Sequence, residues 1–278
     1  MTASRCGPVV REGAIGDLPC LIAGEGPPLV VLAGLSPDVG VSPGPMRRVH
    51  EQALRPWLPG RRVFYLNRRA GLPTGMTMAA LAAEHASGLN GAFGGPVDVV
   101  GLSTGGSIAQ QLAADNPDAV GRLVLISTAC RLGSAGRRIQ RQMAARVRAG
   151  ASRQALALAA AELVPPWRGR YLAAVLGGAL GPRLFAAGDL QDLATTIEAE
   201  DGFDLAACGV VRSPTLLIAG GEDRFYEAEL FEETARLIPG CRLSLYPDRG
   251  HVTVAADPQA VAEARGFLNA GRLTTEFA

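Results

Sequence analysis

Short apolar runs alternate along the chain with segments whose apolar positions recur at helical spacing. Residues 18–23 and 29–33 are strand-like and stand close together across the turn residues Gly24 to Pro28. Further strand-like runs cover 63–66, 97–100, 123–127, 215–219 and 243–246. Helical spacing covers 47–58, closed by Pro59-Gly60, and 77–89, with Thr77 placed as its cap. It returns at about 106–115, near 227–237 and after Pro258. This alternation predicts an α/β fold: a mainly parallel sheet with helices on both faces.

The rhythm breaks between Cys130 and Cys208, where the composition is almost purely helical. Residues 139–148, 153–163, 171–176 and 190–199 read as helices, interrupted by Pro165-Pro166, Gly177-Gly178 and Gly181-Pro182. A helical stretch between two sheet strands reads as a cap, with residues 1–129 and 209–278 forming the core and 130–208 the insertion. Leu156, Leu163, Leu172 and Leu176 either roof a pocket or bury against each other. The insertion is rich in arginine: Arg131, Arg137, Arg138, Arg141, Arg146, Arg148, Arg153, Arg168 and Arg170 meet only Glu162 before Asp189. Two readings stand for them, a surface for an anionic substrate or cofactor tail, and a solvated helix face.

Composition narrows the class. With 278 residues, 48% hydrophobic and 19% charged, the chain has material for a substantial core and is unlike a disordered one. A net charge of +1 gives no sign of a nucleic-acid partner. The first ten residues lack the apolar core of a secretion signal, and no apolar run reaches membrane-spanning length. Cys6, Cys20, Cys130, Cys208 and Cys241 are odd in number and scattered, which fits neither a disulfide framework nor a zinc site. The expectation is a cytoplasmic protein with reduced thiols.

The chemistry concentrates at Gly101-Leu102-Ser103-Thr104-Gly105-Gly106, directly behind a strand-like run and ahead of a helix. This is a G-x-S-x-G pattern in the strand–turn–helix context that lifts a serine hydroxyl clear of a sheet. A serine hydroxyl needs a base within reach to act as a nucleophile. There are three histidines. His50 and His85 lie in helical segments and read as packing or surface residues, whereas His251 lies in the loop after the final strand. Loops at strand ends are where parallel sheets assemble their sites. A carboxylate must then fix the histidine's tautomer. Asp223, just past the run 215–219, fits best; Glu222 is its rival, and Asp248 reads as a turn residue.

The ordered set of G-x-S-x-G, Gly-Gly-Glu-Asp and Gly-His, with a helical insertion ahead of the acid, resembles the α/β-hydrolase superfamily in its capped, esterase-like branch. The resemblance covers roughly residues 18–268. It implies Ser103 as nucleophile, Asp223 as acid and His251 as general base, with no metal or organic cofactor and a small molecule as substrate. It further implies an oxyanion hole from the Leu35 and Thr104 amides. Ala33-Gly34 stands where members of the superfamily often carry His-Gly, and Asn67-Arg68-Arg69-Ala70-Gly71 replaces an acidic residue followed by Arg-Gly. Gly34, Phe225, Trp167 and Phe185 are the candidate substrate-binding residues. Ser36 and Asp38 share the Gly34 loop and read as substrate contacts or ordinary loop polarity. The implied reaction is hydrolysis of a carboxylic ester, thioester or lactone through an acyl-enzyme. Carbon–carbon bond hydrolysis, acyl transfer, perhydrolysis, lyase chemistry and non-catalytic binding of a small molecule are the alternatives.

Overall fold

The computed structural model describes residues 9–41, 46–163, 169–185 and 187–270. Its framework is an eight-stranded sheet of β1 (Arg11–Ile15), β2 (Leu18–Ala23), β3 (Pro28–Leu32), β4 (Arg62–Leu66), β5 (Val97–Leu102), β6 (Val120–Ile126), β7 (Thr215–Gly220) and β8 (Arg242–Tyr246). The order is β1-β2-β4-β3-β5-β6-β7-β8, with β2 antiparallel to β1 and β4 and the other pairings parallel. β1 escapes the hydrophobic pattern because it is an edge strand whose Arg11 and Glu12 face water. β5, central and covered on both faces, carries the near-continuous apolar sequence that a buried parallel strand requires. Its one charge, Asp98, is paired with the buried Arg61 at 2.8 Å.

Strand alternation divides the core into two layers. Val30 and Leu32 of β3 point to the face covered by α2 (Met78–Phe93), α3 (Thr104–Asp115) and α8 (Ala228–Leu237). Leu29 and Val31 point to the opposite face, beneath α1 (Arg47–Leu54), α9 (His251–Ala255) and α10 (Pro258–Asn269). Thr77 caps α2 through a bond from the Ala80 amide, as expected. The helical spacing of 47–58 resolves into α1 followed by a single 3-10 turn at Arg55–Trp57, because Pro56 cannot supply the amide that would continue the helix.

Between β6 and β7 run α4 (Ser134–Arg148), α5 (Ser152–Leu163), α6 (Arg170–Leu184) and α7 (Ala187–Asp201). They bury a third core of their own, centred on Met143, Val147, Leu156, Leu190, Leu193 and Ile197. The expected interruptions at Gly177-Gly178 and Gly181-Pro182 do not occur; α6 runs through them. Glycine serves there for close approach, since a Cβ on Gly177 would lie 2.6 Å from Ala160 Cβ on α5. Of the apolar residues expected to roof a pocket or bury together, Leu156 is buried inside the helical core. Leu172 and Leu176 are exposed instead.

Four of the nine arginines from Arg131 to Arg170 are engaged in ion pairs among the described residues. Arg131 meets Glu233, Arg137 and Arg141 meet Asp201, and Arg148 meets Glu198. Acidic residues from α7 and α8 thus offset part of the local excess of charge in the sequence. Arg168 lies outside the described residues. Cys20, Cys130, Cys208 and Cys241 are free thiols, and Cys6 lies outside the described residues. Among the described residues, no helix is long and apolar enough to cross a membrane.

Candidate active site

Ser103 sits between the end of β5 and the first turn of α3 with φ +50° and ψ −121°. Residues with side chains rarely adopt such a backbone, and it persists only where the surroundings over-determine it. The glycines provide those surroundings. A Cβ on Gly101 would lie 2.6 Å from Gly106 Cα, and one on Gly105 would lie 2.4 Å from the Leu32 carbonyl oxygen. Only a bare backbone lets β5, α3 and the end of β3 converge so closely.

His251 opens the short helix α9, in the loop after β8, and comes within 2.9 Å of the Ser103 hydroxyl through Nε2. Its Nδ1 donates to Asp223 Oδ2 at 2.8 Å. With Nδ1 carrying the proton, Nε2 presents its lone pair to the serine. Asp223 is fixed in turn, because its Oδ1 accepts from the Phe225 amide at 2.8 Å and its side chain is wholly buried. Glu222 points to solvent, and Asp248 occupies an exposed turn. The imidazole is flanked by the Phe225 ring at 4.7 Å and stacked on the Tyr226 ring at 6.0 Å. His50 and His85 are both buried away from this chain, His50 against Tyr65 and His85 donating to the Leu81 carbonyl at 2.7 Å.

Ser103 and His251 open onto a cavity of about 100 Å³. Leu35, Ser36, Pro37, Phe225 and Tyr226 line it from the sheet side, and Gln140, Met143, Ala159 and Leu193 from α4, α5 and α7. Thr104 is the first residue of α3, so its amide is one of those that no carbonyl within the helix takes. Leu35 follows β3 and faces both this cavity and a smaller one of about 20 Å³, which it shares with Gly34 and Thr104. Gly34 therefore lies beside the cavity rather than in its wall. Phe185 packs against the core of the helical insertion, and Trp167 lies outside the described residues. Ser36 is in the cavity wall, its hydroxyl turned to the Asp38 carbonyl at 3.2 Å.

Several residues that support this arrangement carry no local signature. The buried Arg68 guanidinium donates to the carbonyls of Ser36 and Asp38, tying down the loop after β3. Burial draws its pKa down to about 10. The departure at residues 67–71 thus holds the loop that carries Leu35. The Ser127 hydroxyl donates to the His251 carbonyl at 2.6 Å, from a residue at φ +54°.

Beneath the elbow, the fully buried Glu200 accepts from Thr104 Oγ1 and Ser107 Oγ, each at 2.8 Å, and from Gln140 Nε2 at 3.1 Å. Burial pushes this carboxyl above the usual range, and those three donors pull it back. Glu200 shares its helix with Asp189, Asp192, Glu198 and Asp201, so nothing in the sequence singles it out. Gln140 and Ser127 had no sequence signal either.

The alpha/beta hydrolase family profile matches residues 69–264. Among solved structures, the chain is similar to the enol-lactonase from Burkholderia xenovorans, at 23% identity and a TM-score of 0.69 over 93% of this chain and 100% of that one. It is similar also to a thermophilic esterase from Thermogutta terrifontis, at 22% identity and a TM-score of 0.66 over 95% and 98% of the two chains. A third likeness is to an alpha/beta hydrolase from a Medee basin deep-sea metagenome library, with 15% identity and a TM-score of 0.72 over 91% and 94%. At these identities the shared property is the fold. The match of the family profile across most of the chain, on an eight-stranded sheet of this topology, makes the protein a member of the alpha/beta hydrolase family.

Proposed function

We propose that the protein is a cytoplasmic serine hydrolase that cleaves a carboxylic ester, thioester or lactone through an acyl-enzyme on Ser103. The observation that carries this reading is the unbroken chain from Ser103 Oγ to His251 Nε2, at 2.9 Å, and from His251 Nδ1 to Asp223, at 2.8 Å. Nε2 removes the hydroxyl proton as Oγ attacks the carbonyl carbon, and Asp223 stabilises the imidazolium that forms. The carbonyl oxygen becomes an oxyanion held by the Leu35 and Thr104 amides, donors worth on the order of a hundred- to a thousandfold in rate each. The tetrahedral adduct collapses, the bond to the leaving oxygen or sulfur breaks, and His251 gives that atom its proton. Water then attacks the acyl-enzyme with His251 as base, releasing the acid and restoring Ser103.

The helices α4 to α7 act in this reading as a cap over the nucleophile, and the cavity beneath them suits a small molecule. An enol-lactonase and an esterase among the solved neighbours are in keeping with ester-type bonds. Free thiols at four described cysteines accord with a reducing compartment.

The test is intact mass after treatment with a fluorophosphonate, on wild type and Ser103→Ala side by side. One adduct on wild type and none on the variant is the expected result, with ester turnover lost in parallel. Equal labelling of both, or undiminished turnover by Ser103→Ala, would refute the mechanism.

A further inference from the structure

The wall of the cavity is mostly apolar, from Leu35, Pro37, Met143, Ala159, Leu193 and Phe225. Against that background Gln140 stands out. Its side chain is almost wholly buried, at 4% exposure, yet it lines the same cavity as Ser103 and His251. Its two amide atoms are in different situations. Nε2 donates to Glu200 Oε2 at 3.1 Å. Oε1 is buried and has no hydrogen-bond partner among the described residues.

The surroundings of Glu200 fix which way the amide faces. Thr104 Oγ1, Ser107 Oγ and, at 3.5 Å, the Tyr226 hydroxyl all donate to its carboxylate. With these hydroxyls already donating to the carboxyl group, the amide that joins the ring offers its NH2 and turns its carbonyl away. The other polar side chains in the cavity wall each have a partner: Ser36 donates to Asp38, and the Tyr226 hydroxyl to Glu200. Ser103 and His251 are taken up by the reaction itself. Among the described residues of this wall, Gln140 Oε1 is the buried side-chain acceptor without any partner.

A buried carbonyl without a donor carries the full cost of its desolvation, which a ligand donor relieves. A site built in this way rejects an analogue that lacks the donor far more strongly than an apolar wall rejects a missing methylene. We infer that the substrate is a small, largely apolar ester-type molecule bearing one hydrogen-bond donor, a hydroxyl or an amide N–H, which Gln140 Oε1 accepts. This inference rests on the proposed serine chemistry for the bond cleaved, and on the geometry of Gln140 for the group recognised.

Matched substrate pairs test it, each differing only in the donor. On the acyl side, phenyl esters of β-hydroxybutanoate and isovalerate exchange a hydroxyl for a methyl, and those of N-acetylglycine and levulinate exchange N–H for CH2. On the leaving side, acetates of short alcohols ending in a hydroxyl or a methyl form the third pair. Wild type is expected to favour the donor-bearing member of at least one pair by about tenfold or more in kcat/KM. Gln140→Leu and Gln140→Met are expected to abolish or reverse that preference.

No preference in wild type for any pair would overturn the inference, as would a preference that survives in both variants. The wild-type comparison needs no variant to fold. Calorimetric binding of the same pairs to Ser103→Ala decides the claim about Gln140 without turnover. Fluorophosphonate labelling of wild type judges the serine chemistry separately, so the failure of either reading is recognisable on its own.

Discussion

The imidazole of His251 is held from several sides: by Asp223 at Nδ1, by the Phe225 and Tyr226 rings, and by Ser127 at its own carbonyl. Such constraint removes the freedom that would let the ring turn away from Ser103. Asp223→Asn tests the electrostatic part alone, because an amide oxygen can still accept from the Phe225 N–H. The expected result is a kcat lower by roughly ten-thousandfold with the thermal midpoint little changed, since the wrong histidine tautomer is then favoured. A loss of under tenfold would show that His251 works without its carboxylate. Ser103, Asp223 and His251 were legible in the sequence because each stands in a short signature at a strand end. Glu200, Gln140 and Ser127 were not. They meet the site only through helix packing and a strand end, and no spacing within the chain records such meetings.

At the scale of elements, the insertion is tied to the sheet domain by backbone as well as by side chains. Asp192 of α7 accepts from the Gly71 and Leu72 amides, each at 2.8 Å, in the loop between β4 and α2. Asp192→Ala strands the buried Leu72 amide, while the exposed Gly71 turns to water, and a buried donor without a partner costs about 1–3 kcal/mol. Urea unfolding of the variant is therefore expected at a lower midpoint with an unchanged slope. An unaltered midpoint would mean that this tie contributes nothing to stability. The strands of the central sheet were readable because parallel pairing demands unbroken apolar runs. β1 was missed for the converse reason: as an edge strand it buries little of its length. α6 was cut short on paper because glycine breaks an isolated helix but permits a tightly packed pair, and sequence alone does not distinguish the two.

For the whole molecule, two buried imidazoles set a limit on the acid side. Burial lowers the pKa of His85, against weaker raising influences from the Leu81 carbonyl and Glu84. Burial likewise lowers that of His50, which Asp38 raises and Arg47 and Arg68 depress. The unfolded chain therefore binds more protons than the folded one as pH drops below about 6.5, and stability falls with it. Glu200 has the opposite sign: its raised pKa favours the fold at low pH and is a cost as pH rises through its folded value. Between about pH 7.5 and 5.5 the histidines govern, because an ordinary imidazole titrates there. The urea midpoint is expected to be lower at the acid end, and His85→Gln is expected to flatten the difference. Equal midpoints for wild type would mean that both rings gain protons without opening the fold.

The serine and the histidine that face each other at 2.9 Å are 148 positions apart, and the histidine hangs from the loop beyond the outermost strand, β8. In the proposed mechanism, a ribosome therefore releases the nucleophile long before the base that arms it. On that mechanism the growing chain carries an inert alcohol until the last strand docks, so that completion of the sheet and the onset of reactivity are a single event.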